Sequence, residues 1–131
     1  LNIADCIAWA GHVDGAMKAS AFGAAELFVL PSFSENFGIA PVEALSAGLP
    51  CVLGKGVAVA ERIAEAGAGL SVEPTPGAFA AGILSLMQNS EAREKAGVQA
   101  KELAKSDYGV DTMGARLLAL YQRLVTQKTA A

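Results

Sequence analysis

The chain has 131 residues, of which 53% are hydrophobic and 18% are charged, and its formal net charge is -3 at pH 7. This length and apolar content suit one globular domain with a core of its own. Lysine and arginine form no basic stripe of the kind that binds nucleic acid or an anionic membrane surface, so we expect neither partner.

The predicted elements alternate between strands and helices. In chain order they are a strand at 6–10, a helix at 14–24 capped by Asp14, a strand at 26–30, a helix from about 38 to 47, a strand at 51–53, a helix ending near 66, a strand at 70–73, and helices at about 77–89, 91–106 and 110–127. Continuously apolar strands, such as the one at 26–30, are expected to be buried on both faces. We predict a single Rossmann-like α/β domain over 1–131, with a parallel sheet, helices on both faces and a helical tail over about 77–127.

The last two helices of the tail carry different patterns. The final helix has an apolar stripe, which predicts a face turned to the core. That stripe consists of Met113, Leu117, Leu120, Leu124 and Val125. The helix before it is rich in charged residues and predicts a solvated surface helix.

The candidate ligand site lies between the second strand and the next helix. Glu35 and Glu43 flank Gly38, and Pro41 is tolerated only in the first turn, so the helix begins near Gly38. Its first amides point beyond the sheet, where a glycine lets a phosphate or a sugar approach the backbone. Carboxylates repel phosphate but accept hydrogen bonds from hydroxyls, and the combination predicts a nucleotide sugar as ligand.

Several charged or polar residues have two interpretations each. Glu35 also fits a solvated loop residue, and Glu43, on an otherwise uncharged helix, also fits a buried salt bridge with an unidentified partner. Lys55, in a glycine loop, could reach a phosphate or could simply be solvated. His12 fits a surface position or the wall of a base pocket better than an acid catalyst.

Cysteine usage and hydropathy bear on metals and location. Cys6 and Cys51 are far apart in apolar surroundings, which predicts two reduced packing residues and no metal site. No apolar run reaches the roughly 20 residues of a membrane span and no secretion signal is present, so we expect a cytoplasmic location, or a peripheral one at the inner membrane. Because the chain begins with Leu1, we expect a piece of a longer polypeptide.

Several short segments carry a family resemblance through their order along the chain. They are 11–13, 26–32, the run from Glu35 through Glu43 to Pro50, 61–63, 69–74 and the tail with Tyr108. In this order they resemble the carboxy-terminal, donor-binding domain of retaining glycosyltransferases of the GT-B fold, of the group 1 or glycogen synthase-like type. The resemblance implies a hexosyltransferase that moves a glycosyl group from a nucleoside diphosphate sugar to an acceptor, without a further cofactor.

The resemblance also implies a role for each matching position. Glu35 matches the glutamate beside the donor sugar, which we take as the catalytic residue, and Glu43 matches the glutamate that binds the ribose hydroxyls. The positions that meet the sugar and the diphosphate are matched by Asn36, Phe37, Gly38 and Ile39. Part of the base pocket is matched by His12 and Val13.

Two parts of the family's machinery have no match in this sequence. The arginine and lysine that stabilise the departing diphosphate follow the first strand of a six-stranded domain, and the first two strands of that domain are unmatched. We therefore expect truncation on the N-terminal side, an amino-terminal acceptor domain elsewhere in the same polypeptide, and an isolated chain without activity. The free edge of the strand at 26–30 would then pair with the strand at 6–10 or with a second copy in a homodimer.

Other functions on the same fold remain open. One is a non-catalytic binding or assembly domain, and another is a fragment of a nucleotide-sugar epimerase, for whose proton transfers the chain offers only His12. A dinucleotide-binding oxidoreductase is disfavoured because no Gly-x-Gly-x-x-Gly follows a strand. The sequence does not specify the donor nucleotide, the sugar or the acceptor.

Overall fold

The computed structural model of the chain describes residues 3–129. Three strands form one parallel sheet in the order β1-β2-β3, namely β1 (Phe28–Leu30), β2 (Cys51–Gly54) and β3 (Gly69–Val72). Parallel neighbours require a crossover connection, and a helix supplies each of them. The predicted α/β architecture is confirmed.

Six α-helices lie within residues 3–129, and their bounds follow the predicted ones closely. They are α1 (Gly15–Ala24), α2 (Ile39–Ala47), α3 (Ala60–Glu65), α4 (Pro76–Met87), α5 (Ser90–Tyr108) and α6 (Val110–Thr129). Local sequence explains the ends. The side chains of Thr75 and Asn89 accept hydrogen bonds at the starts of α4 and α5, and Gly48 ends α2 in the left-handed conformation.

The core is built around β2, which is buried on both faces. On one face, α2, α3 and α5 surround Cys51 and Leu53. On the other face, α4 brings Phe79 and Leu86 against Val52. The helices therefore cover both faces of β2, which lies at the centre of the core.

The N-terminal segment departs from the prediction. Residues 7–10 form no strand, and Ala4–Cys6 is a single turn of 3-10 helix. Trp9 is 89% exposed, so this apolar run gains neither ladder hydrogen bonds nor burial, the two terms that stabilise a strand. The predicted pairing of 6–10 with the strand at 26–30 is wrong, and so is the packing role of Cys6, which is exposed.

Strand β1 is consequently an edge strand within the described chain. It pairs with β2 alone, and Val29 is exposed on one face. The prediction that this strand is buried on both faces is wrong, because no described helix covers Val29. A homodimer through the edge stays a prediction.

The apolar stripe of α6 is also placed differently from the prediction. Its five residues are 41% to 65% exposed, since α6 packs against α5 and turns this stripe outward. Periodicity shows which residues share a face but not what covers it. No helix among residues 3–129 is long and apolar enough to cross a membrane.

Helix α5, predicted to be a solvated surface helix, packs closely on α2. The residues that it buries are Ala96, Ala100, Leu103 and Ala104. Three of these four are alanines, whose small side chains let the two helix backbones approach each other. The charged residues lie on the opposite side, so a count of charges concealed a narrow buried face.

The two cysteines should differ sharply in reactivity. Burial raises the pKa of the Cys51 thiol to about 12, so at about pH 8 it is protonated as well as inaccessible, whereas Cys6 is exposed. We expect a thiol-specific chromogenic reagent to modify one cysteine quickly in the native chain and both in urea. The variant Cys6→Ser should lose the fast phase, and a fast phase that persists in it would contradict the burial of Cys51.

Candidate functional site

The polar loop after β1 lies directly against the loop after β2. The amide of Glu35 donates to the carbonyl oxygen of Gly56 at 3.1 Å, and the amide of Ala58 donates to the carbonyl oxygen of Glu35, also at 3.1 Å. These bonds form a parallel bridge between Glu35 and Val57 and continue the pairing of β1 with β2 past the strand ends. The backbone of Glu35 is thereby fixed, while its side chain remains exposed.

Glycines at positions 54 and 56 permit this close approach. A Cβ atom at Gly54 would overlap the carbonyl oxygen of Ser32, and one at Gly56 would overlap that of Phe33. Only glycine removes both clashes. The glycine loop around Lys55 therefore has a structural reason to exist, independent of any phosphate.

Gly38 joins this loop to α2 and is buried. Its φ of 87° lies in the left-handed region, and a Cβ atom there would lie 3.2 Å from Val57 Cγ1 and 3.3 Å from Pro41 Cγ. The side-chain direction thus points into the protein. Glycine is required here by backbone conformation and by packing, whereas the sequence had suggested only room for a ligand.

A cavity of about 410 Å³ opens where β1 ends. Its lining consists of Leu30 and the continuous run 35–41. The predicted ligand-binding residues Glu35, Asn36, Phe37, Gly38 and Ile39 therefore meet in one place. Of the described residues that form this lining, Glu35 alone is charged, and most of the others are apolar.

Free backbone donors lie along the same cavity. Among residues 3–129, the amides of 36–40 donate no hydrogen bond to another protein group. Ile39 and Ala40 belong to the first turn of α2, and Pro41 has no N–H to offer. Unpaired amides at the positive end of a helix dipole favour an anion. The cavity thus combines one carboxylate, an apolar wall and anion-binding donors.

Glu43 lies one helical turn beyond Ile39, outside the cavity lining. The Nζ atom of Lys18 in α1 donates to Glu43 Oε1 at 2.6 Å, and each side chain is 38% exposed. The partner that Glu43 was predicted to need is therefore Lys18. The predicted burial of Glu43 is wrong, because α1 leaves one side of the ion pair open to solvent.

The weaker candidates His12, Val13 and Lys55 do not line this cavity. The Nζ atom of Lys55 donates to Glu73 Oε1 at 2.6 Å, and this hydrogen bond, together with the charge of Glu73, raises the pKa of Lys55. The pair joins the loops after β2 and β3 on the exposed surface. His12 is exposed and Val13 is half-buried, both in the segment that precedes α1.

Tyr108 contacts the site from a distant part of the chain. The rings of Phe37 and Tyr108 meet edge to face, with centroids 6.0 Å apart and an interplanar angle of 80°. Partial burial raises the pKa of the Tyr108 hydroxyl. The sequence placed Tyr108 in the tail but gave it no role, and it did not identify Lys18 as the partner of Glu43. Contacts between residues so far apart in the chain leave no local pattern in the sequence.

A second cavity, of about 380 Å³, lies at the opposite end of the sheet. Its lining includes Glu26 before β1, Pro50 before β2, and Arg93 of α5. Ligands of parallel α/β sheets bind beyond the carboxyl ends of the strands. The cavity at 35–41 is therefore the candidate site.

Comparison with known proteins reveals several relatives. The profile of the family described as "Glycosyl transferases group 1" matches residues 1–103. D-inositol 3-phosphate glycosyltransferase 2 from Catenulispora acidiphila is 29% identical over 126 residues, which are 95% of this chain and 29% of that protein. O-antigen chain mannosyltransferase B from Escherichia coli is 34% identical over 100 residues, which are 76% of this chain and 26% of that protein.

The fold also has a counterpart among solved structures. Sucrose-phosphate synthase from Thermosynechococcus elongatus superposes with a TM-score of 0.84 and 23% identity, covering 96% of this chain and 32% of that one. At this identity the likeness shows the fold alone. The chain spans between 26% and 32% of the length of these three proteins.

Replacing Gly38 by alanine should lower the free energy of unfolding by more than the strain of a left-handed backbone alone. Gly67 has a similar φ of 70°, and the nearest atom to its missing Cβ is Gln99 Cγ at 4.0 Å. We expect Gly67→Ala to cost about 1–2 kcal/mol through left-handed strain. Gly38→Ala should cost roughly 1–3 kcal/mol more, because its Cβ also crowds Val57 and Pro41.

Urea unfolding followed by circular dichroism measures both free energies, with Gly67→Ala as the matched control. An equal or smaller loss in Gly38→Ala would show that Val57 and Pro41 do not constrain this position.

Proposed function

The chain belongs to the group 1 glycosyl transferases, and we propose that it forms the donor-binding part of a retaining glycosyltransferase that uses a nucleoside diphosphate sugar. One observation carries the proposal. The cavity at the carboxyl end of β1 is lined by Glu35 and by residues 36–40, whose five amides have no acceptor among the described residues. Carboxylate and amides together complement a ligand with hydroxyls at one end and an anionic group at the other.

The diphosphate is assigned to the amides of 36–40. The segment that carries them is held at its two ends, by the bridge at Glu35 and by the first turn of α2, which limits the reorganisation needed when charge develops on the leaving group. A preorganised donor of this kind contributes about 3 kcal/mol to the stabilisation of a transition state. Breaking the bond between the anomeric carbon and the diphosphate oxygen leaves the negative charge where these donors lie.

The sugar is assigned to the wall formed by Glu35. Its carboxylate accepts hydrogen bonds from the sugar hydroxyls, and Leu30, Phe37 and Ile39 provide an apolar surface beside the ring. Since the amide and the carbonyl of Glu35 both bond to the loop at 56–58, the backbone that carries the carboxylate is held in place. A negative charge there also favours the positive charge that develops on the sugar as the bond breaks.

The ribose is assigned to Glu43, one turn further along α2. Its ion pair with Lys18 leaves the second carboxylate oxygen available to a hydroxyl and offsets repulsion between Glu43 and the diphosphate. With 38% of each side chain exposed, water screens this pair, so we assign it to orientation of the carboxylate more than to stability.

Transfer to an acceptor requires groups that the described part of the chain does not place at the cavity. Among the residues that the structure describes, no cationic side chain lines it, and both Lys18 and Lys55 are engaged in ion pairs. We therefore propose that the isolated chain is inactive, and that a further domain of the same polypeptide supplies the acceptor site. The chain's 29% share of a curated relative's length leaves room for such a domain.

The same observation favours a second candidate. A domain with free amides but no unpaired cation at its cavity could serve in binding or assembly without catalysis. The two functions differ in whether a nucleoside diphosphate binds at the cavity, which can be measured.

Titration of the chain with uridine, guanosine and adenosine diphosphates tests the proposal. We expect one of them to shift the amide resonances of 37–40 with a dissociation constant near the millimolar range. Glu43→Gln should weaken that binding about tenfold, since a hydrogen bond to a charged acceptor is worth roughly 1.5–3 kcal/mol.

Glu26→Gln is the matched control, because Glu26 also forms an ion pair, with Arg93 at 3.4 Å, but lies before β1. It should leave the dissociation constant unchanged. Absence of any shift at 37–40 with all three diphosphates would favour the non-catalytic function, and equal weakening by Glu26→Gln would remove Glu43 from the site.

A further inference from the structure

Phe37 occupies the least supported part of the cavity wall. It follows the bridge at Glu35 and precedes the buried Gly38, and the amides of 36–38 donate no hydrogen bond to a described group. Phe37 is 48% exposed. Backbone hydrogen bonds therefore fix the two ends of this short segment but not its middle.

Tyr108 supplies a contact to that middle part. It is the last residue of α5, which packs on α2 and buries Ala100 and Leu103 in the core, and it packs against the same core cluster. Its ring meets that of Phe37 edge to face at 6.0 Å. Such a pair favours one relative orientation of the two rings.

Asp107, the residue before Tyr108, is hydrogen-bonded to two other helices. Arg62 Nε in α3 donates to Asp107 Oδ2 at 2.8 Å, and Arg116 Nη1 in α6 donates to the Asp107 carbonyl oxygen at 3.2 Å. The position of Tyr108 is thus set by α3, α5 and α6 together. A ring held in this way can transmit its position to Phe37.

We propose that Tyr108 is a positioning residue of the donor site, acting through Phe37. Its ring holds Phe37 in the orientation in which the neighbouring amides converge on the diphosphate. This inference rests on the proposed function for its effect on binding, but the ordering of residues 36–38 can be measured without any ligand.

The test compares three variants of the full chain by ¹⁵N relaxation. In Tyr108→Ala, we expect the order parameters of residues 36–38 to fall from about 0.85, typical of rigid backbone, towards 0.6 or below. Tyr108→Phe keeps the ring and should keep the order. The matched control is Tyr121→Ala, because Tyr121 is 58% exposed on α6.

Binding gives the second measurement. Using whichever of the three nucleoside diphosphates the unmodified chain binds, we expect Tyr108→Ala to raise the dissociation constant about tenfold, with Tyr108→Phe and Tyr121→Ala near the original value. If Tyr108→Ala does not fold, Tyr108→Leu replaces it with the same expected result, because leucine keeps apolar volume but lacks a ring.

Unchanged order at 36–38 in a folded Tyr108→Ala or Tyr108→Leu chain would overturn the inference. So would an equal fall in the order parameters of β2, which would indicate a purely structural role, or an unchanged dissociation constant. Failure of the unmodified chain to bind any of the three diphosphates would instead contradict the proposed function, and the order parameters would still decide the role of Tyr108.

Discussion

The close approach of two loops at the carboxyl end of the sheet is the constraint on which the rest of the site depends. Glu35 uses both its amide and its carbonyl group to bond to the loop after β2, and this is possible only because Gly54 and Gly56 carry no side chain. With Glu35 fixed, the chain must turn at Gly38 to enter α2. The cavity is the space that this short, fixed path leaves open.

Ion pairs in this chain position groups more than they stabilise the fold. All four of the pairs in the described residues are at least partly open to solvent: Lys18–Glu43, Lys55–Glu73, Arg62–Asp107 and Arg93–Glu26. Water screens such exposed pairs, so they add little to the stability of the fold. Cohesion comes instead from β2, whose side chains are buried between helices on both faces. The Lys18–Glu43 and Arg62–Asp107 pairs then orient side chains near the site.

Local sequence predicted what local sequence controls. The strand β2 and the end of α2 near residue 47 both lie within short continuous segments, so their patterns were sufficient to predict them. The five predicted ligand-binding residues at 35–39 are also continuous and line one cavity, whereas Glu43 lies outside its lining. The wrong predictions concern which elements pack against each other. The segment 6–10 and the stripe on α6 are apolar, but nothing in their own residues says whether another element covers them. The alanine face of α5 escaped notice because alanine buries little area per residue although it allows close helix packing.

The free energies of typical hydrogen bonds indicate how strongly such a cavity can bind a diphosphate by itself. A net gain of about 1 kcal/mol for each of three amide hydrogen bonds, with about 1 kcal/mol from the helix dipole, gives roughly 4 kcal/mol, which corresponds to a dissociation constant near 1 mM. No unpaired lysine or arginine lines the described cavity to add to this sum. Each cationic side chain brought to the diphosphate from outside the cavity would add roughly 1.5–3 kcal/mol through charge-assisted hydrogen bonds. Binding tighter than millimolar would therefore require cations from outside the cavity, so under the proposed function this geometry contributes more to the orientation of a donor than to its affinity.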